Sequence, residues 1–332
     1  MTAPLFPDRI LATLTSPNGG GPLVPQDDAL ICRDSGTRFP FLHRVPSLYL
    51  STPGEGNVIT DLMQSFYTEN PFPSYEGLEE FGELVSKGHG NSFSRGLLHA
   101  IGYNKMILEC GCGTGQLSNY LQLNNNHVLG IDLSLASLAL ALEHKQRNQL
   151  TRSAFVQMNI FNLAIQDESF DVILSHGVLH HTHNARQAFA HIVKKLKPGG
   201  IVLVGLYNTY ARIPTWLRSK VIRYLGPRID YVVRHRIHDA EKARIWIQDQ
   251  YFNPHETWHS IDDVLLWFRE NGIDYLNCSP AILDTDAEMS ADLFAATHPG
   301  SVYQRVVTQL SWIFSLGREG GLFDVVGRKR SG

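Results

Sequence analysis

Only four cysteines stand in the 332 residues, too few for a disulfide framework, and no two of them form a CxxC pair. Cys32, Cys110, Cys112 and Cys278 therefore favour a reducing compartment and leave a zinc ribbon unsupported. No apolar run approaches the ~18 residues that a membrane span requires. The start, MTAPLFPDRI, lacks the basic region and apolar stretch of a secretory signal, so a cytoplasmic location is expected. Charge is sparse at 18% of residues, below the ~25% of ordinary soluble domains, which excludes wholesale disorder. The net charge of −3 gives no blanket attraction to nucleic acid or membranes. What is present is apolar material at 43%, enough for one large domain or two small ones, and 15 histidines whose placement matters.

Residues 1–58 read as a loop-rich extension, broken by prolines such as Pro17, Pro22, Pro25 and Pro40 and by the flexible run Asn18–Gly21. Within it, 29–40 followed by 41–50 suggests a short hairpin. A helical pattern begins at Ile59, and further helices are expected at 75–87 and 92–101. From Lys105 the rhythm becomes strand then helix. Strands are expected at 105–110, 127–132, 154–158, 170–175 and 201–206, separated by helices at 115–123, 135–148 and 184–195. After Tyr207 the rhythm lapses until a helix at 260–271, capped by Ser260, and two last strands at 273–278 and 322–326. Right-handed crossovers then predict an α/β, Rossmann-like, doubly wound and mostly parallel seven-stranded sheet. The domain runs over 59–332, with 207–259 inserted after the fifth strand.

The segment Leu108-Glu109-Cys110-Gly111-Cys112-Gly113-Thr114-Gly115 follows a strand and opens a helix. Alternate glycines let the backbone turn sharply and approach a ligand closely. Asp132 ends the next strand 21 residues beyond Gly111, where an acid accepts the hydroxyls of a ribose in nucleotide-binding βαβ units. The pattern is GxGxG rather than the dinucleotide GxGxxG, and Glu109 just before it suits a cation and repels phosphate. A ribose, no phosphate and a positive charge together describe S-adenosylmethionine.

On these residues the chain resembles the class I S-adenosylmethionine-dependent methyltransferases over about 60–332. LECGCGTG is similar to that family's first motif and LGIDLS to its second. VQMNIFNL is similar to the third, SFDVILSHGVLHH to the fourth, and LKPGGIVLVGLYN to a late strand. It looks most like a bacterial group with a leading YPFPxY-type segment, here Tyr67 to Tyr75. The resemblance implies that Glu109 faces the methionine ammonium and that Gly111, Cys112, Gly113, Gly115 and Gln116 carry the amino-acid part. Asp132 with Leu133 would hold the ribose, and Asn159 with the Ile160 backbone the adenine. Tyr67, Ser175 and His176 would complete the cofactor site. Asn159 stands where the family more often has Asp, and its amide oxygen still accepts a hydrogen bond. Some relatives begin with a zinc-ribbon-like segment; lone Cys32 in ICRDSGTRFP implies a metal-free remnant.

The acceptor belongs beyond the carboxyl ends of the fourth and fifth strands. His176, His180, Tyr207, Tyr251 and His255 are the candidate catalytic residues there, with packing or capping the rival reading for one of the pair His180–His181. His255, Glu256 and His259 raise a metal reading, but Pro254 and the absence of HExxH argue against it, and no metal is expected. Residues 211–236 hold seven cations against Asp230 alone, and 261–296 hold eight acids against Arg269. Mutual offset of these charges is the plain reading. An anionic acceptor, an RNA or carrier partner, or membrane contact through Trp216, Leu217, Val221 and Leu225 are the sharper ones. A methyltransferase for a small or medium-sized organic acceptor is the leading reading. A tRNA or protein methyltransferase and a non-catalytic cofactor-binding regulator are its rivals, and a homodimer stays open. The aromatic segment Phe66, Tyr67, Phe72 and Tyr75 is expected to meet 207–259 above the sulfonium as a lid. Removal of 1–58 is expected to leave the fold intact.

Overall fold

The computed structural model describes residues 4–51, 55–73, 75, 77–237, 239–283 and 292–331. The chain opens with α1 (Asp8–Leu11) and a four-stranded antiparallel meander of β1 (Leu23–Gln26), β2 (Ala29–Cys32), β3 (Arg38–Leu42) and β4 (Val45–Pro46). The expected hairpin is thus the middle of a larger sheet. Three helices follow: α2 (Glu55–Glu69), α3 (Phe81–Gly90) and α4 (Ser92–Ile101). The third-helix expectation at 75–87 begins too early. Gly77 takes a left-handed φ of 70°, and a reciprocal Glu80–Glu83 capping box fixes the start of α3 at Phe81.

The main sheet then builds as β5 (Met106–Cys110), α5 (Gln116–Leu121), β6 (His127–Asp132), α6 (Leu135–Arg147), β7 (Ser153–Gln157), β8 (Phe170–His176), α7 (Ala185–Val193) and β9 (Leu196–Tyr207). The insertion folds as α8 (Ile213–Leu225), α9 (Tyr231–His235) and α10 (Ala240–Tyr251). After it come α11 (Ile261–Glu270), β10 (Ile273–Ser279), α12 (Val302–Ser311) and β11 (Leu322–Lys329). Strand order is β10-β11-β9-β8-β5-β6-β7, parallel from β9 to β7, with β11 antiparallel to both of its neighbours. All seven expected strands are present. Every residue of β5 is buried, as a strand covered by helices on both faces must be. The chain winds one way from β5 to β7 and the other from β8 onward, so β5 and β8 flank the switch point where such sheets open a crevice.

The N-terminal region packs against this core. Ile10, Leu14, Leu30 and Leu48 are buried in the same apolar cluster as Leu108, Val156 and Met158. Leu48 N–H donates to the Gln157 carbonyl at the sheet edge (3.0 Å). The buried Lys145 ammonium donates to the Pro4 and Leu5 carbonyls at 2.7 and 2.8 Å.

Among the described residues no ion pair joins the two charged stretches. Arg212 is buried against Glu256, and Arg236 pairs with Glu319. On the acidic side Asp262 pairs with Arg305, Glu270 with Arg186 and Asp274 with Arg330. Asp284, Asp286 and Glu288 lie outside the described residues. Trp216, Leu217, Val221 and Leu225 are exposed on α8. No helix among the described residues is long and apolar enough to cross a membrane.

Candidate active site

A cavity of about 650 Å³ opens at the carboxyl edge of β5, β6 and β8, roofed by α2 and α10, within the ~300–1,000 Å³ of small-molecule sites. Its floor is the loop after β5. Gly111, Gly113 and Gly115 take φ of 75°, 53° and 72°, a conformation that β-carbons disfavour. A β-carbon at Gly113 would also lie 2.3 Å from the Phe72 carbonyl oxygen. That carbonyl and the one at Pro73 clamp the loop from above, accepting from Thr114 N–H (3.2 Å) and Thr114 Oγ1 (2.6 Å). Gly115 contributes from beneath, where Phe155 and Ala141 leave no room for a side chain; it does not line the cavity.

Glu109 lines the cavity with its carboxylate buried and bonded by the Ser118 hydroxyl. Burial pushes its pKa up to about 7, against the opposing pull of Ser118 and His176. Asp132 holds the loop in place by accepting from Gly113 N–H and Ser134 N–H, both at 2.8 Å. Burial raises its pKa, and these amides counter the rise. Cys112, Gln116, Leu133, Asn159 and Ile160 also line the wall. The Asn159 amide oxygen accepts from Phe161 N–H at 3.0 Å, forming the turn after β7. Ser175 lies beneath the surface, its hydroxyl 3.5 Å from the Cys110 carbonyl.

Across the cavity the structure sorts the acceptor-side residues. His176 ends β8, lines the cavity, stacks on Phe93 and sits 3.3 Å from Asp324. Burial alone would lower its pKa; Asp324 and Glu109 outweigh that and hold it above the usual imidazole value. Gly205 makes room for this pair, because a β-carbon there would lie 2.6 Å from both side chains. His180 is displaced from the expected role. It is fully buried away from the cavity, and neither ring nitrogen has a partner among the described residues. His181 lines the cavity instead. Its Nδ1 donates to the His255 carbonyl at 2.8 Å, which leaves the lone pair on Nε2. Burial lowers its pKa, so it is neutral near pH 7.

Tyr207 lines the cavity and Tyr251 does not; Tyr251 donates to Asp230 at 2.6 Å inside the insertion. His255 is also outside, its Nε2 on the Thr182 carbonyl at 3.2 Å. The trio raised as a metal reading is dispersed. Glu256 binds Arg212, His255 binds Thr182, and His259 Nε2 meets the Thr257 hydroxyl at 2.8 Å. Among the described residues no cluster of three or more metal-binding side chains occurs.

The two segments expected to form the lid are in contact. Tyr67 on α2 donates to Asp249 on α10 (3.0 Å) and accepts from Asn253 (3.2 Å), and Gln250 donates to Tyr207 (2.9 Å). Burial and Asp249 together raise the Tyr67 phenol well above its ordinary value, so it stays protonated.

This floor of glycines, one acid before them and one at the end of the next strand, is matched by a known family. Residues 108–204 match the methyltransferase domain. The chain is also 33% identical over 184 residues to the phthiotriol/phenolphthiotriol dimycocerosates methyltransferase of Mycobacterium tuberculosis, covering 54% of this chain and 66% of that protein. It is 28% identical over 200 residues to an uncharacterized protein of a Synechococcus species, covering 52% of this chain and 48% of the relative. A solved S-adenosylmethionine-dependent methyltransferase from Mesorhizobium loti superposes with a TM-score of 0.46 at 16% identity, over 73% of this chain and 100% of that one. The chain thus spans about half to two thirds of these curated relatives' length.

The methyltransferase-domain match ends at Val204, so the roof and part of the acceptor wall lie beyond it. Lys87, Asp249 and Asp324 line or back the cavity without any motif to announce them. Asp324 carried one sequence signal, a lone acid inside the apolar strand LFDVV. Lys87 and Asp249 sit in amphipathic helices among other charges and carried none.

Proposed function

We propose that the chain is an S-adenosylmethionine-dependent methyltransferase acting on a small or medium-sized organic acceptor. The observation that carries this is the joint placement of the glycine loop, buried Glu109 and Asp132 on one cavity wall, within the stretch matching a methyltransferase domain. The residues fit the cofactor. A loop without β-carbons takes the amino-acid part, a buried carboxylate meets its ammonium, and Asp132 keeps lone pairs for the ribose hydroxyls. Leu133, Asn159 and Ile160 flank the adenine. When bound, the cofactor supplies an electrophilic methyl group, so the protein's task is alignment and exclusion of water.

The chain's own residues divide that task. Tyr67, Asp249 and Tyr207 close the roof. Neutral His181 takes the acceptor's proton at Nε2, a better base than His176, whose imidazole is held toward its charged form. The charges lining the cavity are Glu109, Asp132, Asp249 and Glu319 against Lys87. Of these Glu319 is paired with Arg236 and His176 is held toward its charged form, so the charges at the cavity are nearly offset.

Calorimetry with S-adenosylhomocysteine tests the cofactor, and a labelled-methyl screen of metabolite extracts tests the acceptor. Asp132→Ala removes two charge-assisted hydrogen bonds worth ~1.5–3 kcal/mol each and lowers affinity by about two orders of magnitude or more. Equal affinity of the variant, or tight binding of NAD instead, overturns the reading.

A further inference from the structure

Helix α8 turns its apolar residues outward. Ile213, Leu217, Val221 and Leu225 follow one another at four-residue spacing, and Trp216 and Tyr224 lie on the adjoining row. All six are exposed, Leu225 at 66% and Tyr224 at 87%. Toward the core the helix buries only Thr215 and Ile222, the reverse of a helix whose apolar stripe packs on its own domain. Polar ties hold it in place. Arg212 at its start is buried on Glu256 and Gln250. Arg218 donates to the Gly317 carbonyl at 2.6 Å, and the Arg223 guanidinium lies 5.2 Å from the Phe252 ring centre. The six outward side chains take no part in these ties.

Cations accompany that face. Lys220 stands between Trp216 and Tyr224 on their row, its ammonium 5.1 Å from the Trp216 ring centre. Arg223, Arg228 and Arg234 are exposed on and after the helix. No carboxylate among the described residues pairs with any of the four. Asp230, the single acid of 211–237, is buried and accepts from the Tyr251 hydroxyl at 2.6 Å. Exposed apolar residues interspersed with unpaired cations complement a surface that is apolar within and anionic at its face. We propose that the outer face of α8 seats the protein on a bilayer surface carrying anionic lipids. Trp216 and Tyr224 suit the level of the headgroups, and Lys220 and Arg223 extend to the phosphates. A second copy of this chain fits less well, because a two-fold interface sets the patch against itself and brings these cations against like charges. Since α8 is fastened to α10, the seated protein carries the roof of its cavity beside the lipid. This does not depend on the cofactor assignment.

The test is co-sedimentation of the full chain with vesicles of phosphatidylcholine alone and of an equimolar mixture with phosphatidylglycerol. The chain should pellet with the mixed vesicles and only weakly with the neutral ones. That difference should shrink between about 0.1 M and about 1 M salt, as the screening length falls from ~10 Å to ~3 Å. Trp216→Ser with Leu217→Ser should lower partitioning onto both vesicles by about tenfold or more. Lys220→Gln with Arg228→Gln should lower it on the mixed vesicles alone, by about fivefold for each cation removed. Tyr103→Ser, at an exposed ring just ahead of β5, should change neither. Should the apolar double variant melt early, Tyr224→Ser repeats the comparison. No pelleting with either vesicle overturns the proposal, and so does binding that survives the loss of Trp216 and Leu217 or falls equally with Tyr103→Ser. A dimer in sedimentation velocity that the apolar variant dissolves, with vesicles ignored, assigns the face to a second copy instead. Calorimetry with S-adenosylhomocysteine should be unchanged in these variants, so failure here leaves the cofactor reading standing.

Discussion

Glu109 carries a charge that the free protein does not favour. Burial raises its pKa to about 7, so the folded state holds this proton more tightly than the unfolded chain, where a glutamate titrates near ~4.3. The sign follows: stability of the free protein is highest below that window and falls as pH rises through it. Ligand binding reverses the preference, because an ammonium beside the carboxylate favours ionisation. S-adenosylhomocysteine affinity should therefore rise about tenfold between about pH 6 and about pH 8, with a proton released on binding. Calorimetry in buffers of different ionisation enthalpy measures both. Glu109→Gln should bind more weakly at the higher pH and show a flat profile. A wild-type profile as flat as the variant's would remove Glu109 from the ammonium role.

Elements decide what surrounds that carboxylate. Helix α2 and the end of the insertion are 182 residues apart in the chain and meet through Tyr67, Asp249 and Asn253, the last just beyond α10. Hydrogen exchange should show added protection in both 62–75 and 240–253 when S-adenosylhomocysteine binds. Protection confined to 111–115 would show that the roof does not respond to the ligand. Tyr67→Phe removes the phenol that ties α2 to α10 while preserving the ring, so turnover should fall more than thermal stability. The N-terminal meander tells a different story from the one its prolines suggest. Phe6, Ile10, Leu14, Leu23, Leu30, Phe39 and Leu48 are buried in the main core. Each contributes ~1.5–3 kcal/mol by burial, so their joint loss is as large as the ~5–15 kcal/mol net stability of a domain. Deletion of 1–48 should abolish the cooperative melting transition seen by circular dichroism. Leu30→Ala alone should cost ~2–5 kcal/mol. A truncated chain that melts cooperatively would mean the meander is dispensable.

At the scale of the whole molecule, charge is local and partly spent in pairs within the fold. Of the seven cations in 211–236, Arg212 is buried on Glu256, Arg236 pairs with Glu319, and Arg218 bonds the Gly317 carbonyl. Those left at the surface, Lys220, Arg223, Arg228 and Arg234, lie on and after α8, and four such cations make too few phosphate contacts for tight binding at physiological salt. A gel-shift titration at physiological salt should therefore find no sub-micromolar RNA binding. Tight binding that falls steeply with salt, as counterion release requires, would promote an RNA acceptor.

The sequence by itself determined the strands, the crossover helices and the glycine loop with Glu109 and Asp132. These are local properties: alternation of apolar runs with helical periods, capping residues, and backbone positions that only glycine occupies readily. It also brought the aromatic residues ahead of the sheet and the insertion after its fifth strand to the same carboxyl edge, where they touch. It named His180, whereas His181 is the member of the pair that lines the cavity, since adjacent residues differ in facing by a rotation that only packing against Tyr207 and the His255 carbonyl fixes. It set Tyr251 and His255 in the pocket, whereas Asp230 and Thr182 hold them elsewhere. It read 1–58 as a loop-rich extension and gave no sign of its packing, because proline and glycine content reports on local regularity and not on burial. Lys87, Asp249 and Asp324 became site residues only when α3, α10 and β11 were brought to the edge of β5. That convergence is made by contacts far apart in the chain, and only tertiary structure decides it.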